Sequence, residues 1–399
     1  MDLYNYKYMD ELFLENYKKM EQLDLCTEDN LTVEEVIEGT ILPYRVVGNS
    51  KKAGVVNQNG EYVALSAFEA LSEVDSWGGS YQIESAEYLD ETVLYFGRFW
   101  KHWGHFLMDM VSRLWWIIEN DMNIKIAYDA QEDIQGVYWE FLRLLGVSKN
   151  QMVRVENPTR FAKVIVPECA HKPGISCNVR YKKIFDIVAQ KALQEFEDYD
   201  KYRDKSIYFT RMQMKRRIPF EVGERDFERL FSRQGFVVVA PEKYSLVEQI
   251  AMIKGAKRVA CLSGTLPHNM IFAQDGAELI VVRKTNKPNY RQVSVNQLRK
   301  LKVTNIDAHI SLKAVGPGGP FVLDINKNVE AYFKDCYGKC DYSKVLQWFK
   351  RKIRLMWYVP IYILRNRKMD RQVPLFDGKV FSTTVTAKSE LFSYYIKRI

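Results

Sequence analysis

Between residues 124 and 282 the chain alternates short apolar runs with stretches of helical period, and nothing else in the sequence constrains the fold as tightly. IKIAY, MVRVE and AKVIVPE, a helical pattern over 133–145 and a long helix ending near EFEDYD at 195–200 form one series. SIYFTR at 206–211, a helix near 224–234, GFVVVAPE at 235–242, a helix opening with Ser245, RVACL at 258–262 and AELIVV at 277–282 form a second. Strands separated by helices are joined by crossovers that pair them in parallel, so the expected class is α/β with largely parallel sheets. Ser245 and Glu248 spell S-x-x-E, a capping box that fixes where its helix starts. The charged stretch DYDKYRDK at 198–205 divides the two series, so we expect two sheets facing a cleft, with a boundary near residue 201.

At 399 residues and 47% hydrophobic content the chain can bury more than one core. We divide it into an acidic N-terminal segment (1–40), a first α/β unit (41–200), a second (201–311) and a C-terminal region (312–399) punctuated by GPGGP at 316–320. Charge is polarised, with eleven acids against three lysines over 1–40 and nine Lys or Arg against one Asp over 344–371. The opening MDLYNYKYMDELF has neither a basic n-region nor an apolar core, which predicts a cytoplasmic protein. The best apolar run, LMWYVPIYIL at 355–364, is too short to span a bilayer. Six scattered cysteines lack paired CxxC spacing and are expected to be free thiols.

Ionisable groups interrupt an apolar, aromatic run in KHWGHFLMDM at 101–110. On a helix His102, His105 and Asp109 share one face, while Phe106, Met110 and Leu114 line another. These histidines are either satisfied boundary residues or part of a proton-transfer site; the residues alone leave both open. His105 and Asp109 are one turn apart, so a carboxylate can hold the imidazole tautomer. In the second series, RVACL runs into Ser263-Gly264-Thr265-Leu266-Pro267-His268-Asn269. A strand, a small-residue loop and a helix N-terminus with Pro in its first turn suit a phosphate, although a plain strand-to-helix turn reads the same way. Arg211, Arg216 and Arg217 cluster after SIYFT, at a carboxyl end of the sheet where ligands of open α/β sheets bind. A solvated basic loop is the alternative. Asp198-Tyr199-Asp200 imitates a D-x-D metal motif, but its place in a charged linker reads as solvated helix-end acids.

Taken together, YFTR, RRI, GFVVVAPEKYSLVEQI, SGTLPHNMIF and GAELIVV, with HFLMD upstream, closely resemble the catalytic region of glycosyltransferase family 61 over about 95–285. Pro241, Glu242, Ser245, Leu246, Glu248 and Gln249, with Gly264, Asn269 and Phe272, carry the most specific part of the likeness. The resemblance implies a GT-B-like pair of Rossmann-like domains and an inverting hexosyl- or pentosyltransferase using a nucleotide-sugar donor, UDP-linked in our reading. It also implies a glycan or lipid-linked acceptor in bacterial capsule, lipopolysaccharide or exopolysaccharide synthesis. On this reading His105 or Asp109 is the base, and Arg98 and His102 bind acceptor. Donor phosphate falls to Arg211, Arg216, Arg217, Glu242, Ser263, Gly264, Thr265, His268 and Asn269. No metal or other cofactor is expected, because arginines and not a carboxylate pair sit where the diphosphate would lie. A polysaccharide pyruvyltransferase and a degenerate scaffolding subunit are the rival readings.

KVLQWFKRKIRLMWYVPIYILRNRK at 344–368 mixes Trp and Tyr with cations, as a segment lying on an anionic membrane does. The chain is therefore expected to be peripheral to the inner face of the plasma membrane. Packing of this segment against the protein body or the acidic head is the alternative, and Pro360 would kink a continuous helix. Nucleic acid is not an expected partner, since no recognised binding module is present.

Overall fold

A computed structural model describes residues 3–73, 75–214, 221–285, 288–310, 321–366, 372–374 and 380–382. The chain opens with β1 (Tyr4–Tyr8) and α1 (Glu11–Glu21), then β2 (Val33–Ile37), β3 (Thr40–Val47), β4 (Ser50–Val56), β5 (Tyr62–Val63) and β6 (Glu87–Arg98). Next come α2 (Trp103–Met108), β7 (Lys125–Asp129), α3 (Val137–Leu145), β8 (Met152–Val155), β9 (Thr159–Pro167) and α4 (Val179–Glu195). The second series supplies β10 (Ser206–Phe209), α5 (Glu224–Arg233), β11 (Val237–Val239), α6 (Leu246–Gly255), β12 (Arg258–Leu262), β13 (Glu278–Arg283), α7 (Tyr290–Leu298) and β14 (Lys302–Asp307). Helices α8 (Lys327–Tyr337) and α9 (Lys344–Asn366) follow.

The second series forms an all-parallel sheet in the order β1-β14-β13-β12-β10-β11. Numbered in chain order, the five strands β10–β14 lie as 2-1-3-4-5, a doubly wound topology whose direction reverses between β10 and β12. Strands β12 and β13 are buried almost end to end, as a sheet covered on both faces demands. β1 completes the far edge, so the start of the acidic N-terminal segment is part of this sheet.

The first unit is a mixed sheet, β5-β4-β3-β9-β6-β7-β8, with β2 also on β9. Only β9, β6, β7 and β8 run parallel; β2, β3, β4 and β5 pair antiparallel. This departs from the expected parallel layout of residues 41–200. The short link at Gly48 (φ 60°) between β3 and β4 is too short for a crossover and closes a hairpin.

One apolar core runs through both units. Phe141 of α3, Phe185 of α4 and Phe272 from the segment after β12 meet edge-on, with ring centroids 5.4–6.2 Å apart. The stretch around residue 201 therefore links two sheets that share a helical layer. At α6, Ser245 accepts from the Glu248 N–H at 3.2 Å, but Glu248 turns to Lys201 and Tyr202, so only half of the capping box forms.

Helix α9 runs through Pro360. Its cations hold it to the body: Lys350 and Arg354 bind Asp226, Arg351 lies 3.7 Å from Asp324, and Lys344 lies 3.5 Å from Glu330. The opposite face leaves Val345, Trp348, Phe349, Ile353 and Met356 half or more exposed. No helix among the described residues is long and apolar enough to cross a membrane. All six cysteines are free thiols.

Candidate active site

The topological reversal between β10 and β12 places two loops side by side at the carboxyl ends of their strands: Thr210-Arg211 after β10 and Ser263-Gly264 after β12. Gly264 has φ +132°, and a methyl group there would lie 3.4 Å from Lys284 Nζ and 3.9 Å from an Arg211 guanidinium nitrogen. The two cations share the Oε1 of Glu221, each at 2.8 Å. Lys284 is almost fully buried, and burial pulls its pKa down although Glu221 pulls it up. Glu224 accepts from the Arg211 backbone N–H at 3.0 Å, and burial pushes it up to about 7. Two cations bridged by Glu221 thus flank a loop whose backbone is open to close approach.

Helix α2 docks its N-terminal turn directly on this loop. Gly104 makes the approach possible: a methyl group there would sit 3.0 Å from Thr265 Cγ2 and Oγ1. Trp103 Nε1 donates to Asn269 Oδ1 at 2.7 Å, fixing the same contact from the other side. The two stretches singled out in the sequence, KHWGHFLMDM and SGTLPHN, therefore meet.

Helix α2 has six residues, fewer than the i, i+7 face presumes, with His102 as N-cap and Asp109 as C-cap. The i, i+4 contact still forms, with His105 Nδ1 2.5 Å from Asp109 Oδ2. Asp109 is buried and carries a second partner from the other unit. Arg291 of α7 gives Nε to Oδ1 at 3.1 Å and a terminal nitrogen to Oδ2 at 3.2 Å, while its other terminal nitrogen reaches Asp75 Oδ2 at 3.1 Å. Burial alone would raise the Asp109 pKa, but the His105 hydrogen bond and the Arg291 charge outweigh it and hold it below the usual carboxylate range. Its oxygens are both hydrogen-bonded, whereas the His105 ring is partly exposed and its Nε2 makes no hydrogen bond among the described residues.

The other expected site residues are distributed as follows. His102 is exposed, its ring 4.4 Å from that of His105. Arg98 ends β6 and stacks on Tyr44 and Trp100. His268 is buried, with Nδ1 2.8 Å from Gln292 Oε1 and Nε2 3.4 Å from Asn289 Nδ2, and burial lowers its pKa to about 4. Asn269 is buried as well, its Oδ1 taken by Trp103 of α2. Glu242 is exposed beyond β11, one strand outward from β10. Arg216 and Arg217 lie outside the described residues. Asp198 and Asp200 precede β10 and so sit at the opposite end of that strand from Arg211, and Asp200 pairs with Arg203.

Sequence reasoning missed Lys284, Glu221, Arg291, Asp75 and Trp103. Lys284 follows AELIVV-Arg283, and the logic that picked Arg211 from a strand's carboxyl end also reaches it. Nothing local marks Arg291.

Residues 103–280 match the Glycosyltransferase 61 family. That stretch contains α2, the dyad, Arg211 and the 263–269 loop, and the match supports a glycosyltransferase. No curated protein matches the chain.

Proposed function

We propose that the chain is an inverting hexosyl- or pentosyltransferase that moves a sugar from a nucleotide-diphosphate donor, UDP-linked in our reading, to a bacterial surface polysaccharide or lipid-linked glycan. One observation carries the reading: an imidazole–carboxylate dyad docks on a glycine loop flanked by Arg211 and Lys284, at the reversal point of a doubly wound sheet. Asp109 is buried and doubly held, so it orients His105, and His105 Nε2 is the base. In the transfer, the acceptor hydroxyl gives its proton to Nε2 and its oxygen bonds the anomeric carbon. The bond from that carbon to the diphosphate breaks on the opposite face. Arg211, Lys284 and the Gly264 loop offset the charge that accumulates on the departing diphosphate. We assign that task to protein groups with no metal ion, and Glu221 gives way when the diphosphate arrives. The GT-B arrangement is part of this proposal; the 2-1-3-4-5 sheet supports it for the second unit. We further place the protein in the cytoplasm against the inner face of the membrane, on the exposed face of α9.

The experiment is transfer or slow donor hydrolysis with a panel of nucleotide sugars. His105→Ala should cost about 10² to 10⁴ in rate with donor affinity nearly intact, whereas Arg211→Ala and Lys284→Ala should weaken nucleotide binding. Near-normal transfer by a folded His105→Ala would refute the assignment of the base.

A further inference from the structure

Close to the dyad, Arg98 ends β6 half-buried between aromatic rings. Its guanidinium carbon lies 3.4 Å from the Tyr44 ring centroid and 5.4 Å from that of Trp100. Trp100 lies 5.5 Å from the His105 ring, so the stack runs without a gap to the proposed base. A bulge between Tyr95 and Gly97, where φ is +103°, shifts the register of β6 and brings Arg98 opposite Asp129 of β7. Asp129 makes no ion pair with it. Its Oδ2 accepts the Tyr44 N–H at 2.6 Å, and burial raises its pKa against the opposing pull of that hydrogen bond and of the nearby Arg98 charge.

Among the described residues the Arg98 guanidinium forms no hydrogen bond and no ion pair; aromatic faces hold it flat instead. A guanidinium stacked in this way keeps its N–H fork for a carboxylate or phosphate, which it binds two oxygens at a time. The site is half-buried, so the charge is less screened than on an open surface. Asp129, opposite on β7, offsets part of this charge, but the N–H fork itself stays available for a ligand oxyanion. Trp100, also half-buried, offers an apolar face to a sugar ring within one residue's reach of His105.

We propose that the acceptor is an anionic glycan whose carboxylate or phosphate docks on Arg98 while a sugar ring lies on Trp100, bringing a neighbouring hydroxyl to His105. The proposal rests on the glycosyltransferase reading above and names the chemistry of its acceptor. A uronic acid and a phosphorylated sugar supply the same oxyanion, so the test uses both.

Three probes are titrated into the full chain and followed by saturation-transfer NMR: a glucuronate-containing oligosaccharide, a phosphorylated oligosaccharide, and a neutral one of equal length. At least one anionic probe should bind about tenfold or more tightly than the neutral one. Arg98→Gln should abolish that preference, Arg98→Lys should keep part of it, and Trp100→Ala should weaken all three probes. Preference for the glucuronate alone or the phosphate alone identifies the source of the anion. Equal binding of charged and neutral probes, no binding of any, or an undiminished preference in a folded Arg98→Gln overturns the proposal. If that variant does not fold, Arg98→Lys and Trp100→Ala carry the same comparison. UDP titrated into the unaltered protein tests the donor side separately. Failure of UDP to bind alongside an Arg98-dependent anion preference would defeat the donor reading and leave the acceptor surface standing.

Discussion

Replacing Arg291 by alanine tests whether the ion pair that joins the two units also sets the working state of the dyad. The Arg291 side chain is 11% exposed and that of Asp109 3% exposed, so the variant leaves a carboxylate without its main partner in a nearly dry place. Removing one member of a buried pair typically costs about 3–5 kcal/mol. The lower figure applies, because His105 remains 2.5 Å from Asp109 and can take up a proton, and because Asp75, at 34% exposure, regains water. Over 399 residues the unfolding entropy is about 0.8 kcal/mol per kelvin, so Tm should fall by roughly 4 °C if the chain melts as a unit. The pH dependence has a definite sign. Asp109 is held below its ordinary range, so its contribution is present above about pH 3.9 and lost as pH falls through the depressed folded value. The variant should show a shallower loss of stability in acid. Activity should fall as well: with the guanidinium gone, nothing from the second unit holds the Asp109 carboxylate that orients His105. The transfer rate should therefore drop, while nucleotide affinity, which we assign to Arg211 and Lys284, stays close to normal. Arg291→Lys, which keeps the charge and loses the fork, should fall between. Calorimetry and the split of transfer kinetics into kcat and KM measure both effects. An unchanged kcat in Arg291→Ala at an unchanged Tm would show that Arg291 is neither a clamp nor a positioning residue.

Three further outcomes follow from the same geometry. Gly104→Ala should drive α2 off the Thr265 loop, lowering stability by about 1–3 kcal/mol and cutting transfer, because the new methyl group has 3.0 Å where ordinary contact needs more; a variant as stable and active as the parent would mean the docking is loose. Transfer should survive EDTA if Arg211 and Lys284 hold the diphosphate, and a complete, Mn²⁺-restorable loss would return Asp198 and Asp200 to consideration. Trp348→Glu combined with Ile353→Glu, both on the exposed face of α9, should abolish sedimentation with anionic vesicles without unfolding the protein, because the cations that dock α9 on Asp226 face the other way; undiminished sedimentation would show that the membrane contact lies elsewhere.

The parallel sheet of the second unit was legible because its strands are continuous apolar runs at helix-length spacing, a pattern that few other folds produce. Its outer strands were not. β1 pairs with β14 across almost the whole chain, and YNYKY carries no mark of burial because an edge strand leaves one side open. The mixed character of the first sheet was hidden for a related reason: TILPYRVV and SKKAGVV bury only one end each, so neither shows the alternation that announces a hairpin.

For the site, legibility followed distance along the chain. His105 and Asp109 are four residues apart, and helical geometry alone places them in contact. Spacing could not say which of the two is the base, because that depends on what else touches each. Arg291, 182 residues beyond Asp109, occupies the carboxylate, and on that ground we assign the base to the imidazole. The same logic separates the loop residues. His268 and Asn269 look as available for a ligand as Gly264 in SGTLPHN, yet Gln292 and Trp103 draw them inward, and both partners lie on elements that the loop's own sequence does not mention. A short motif thus identifies groups capable of the chemistry, and long-range packing then decides which of them are free to perform it.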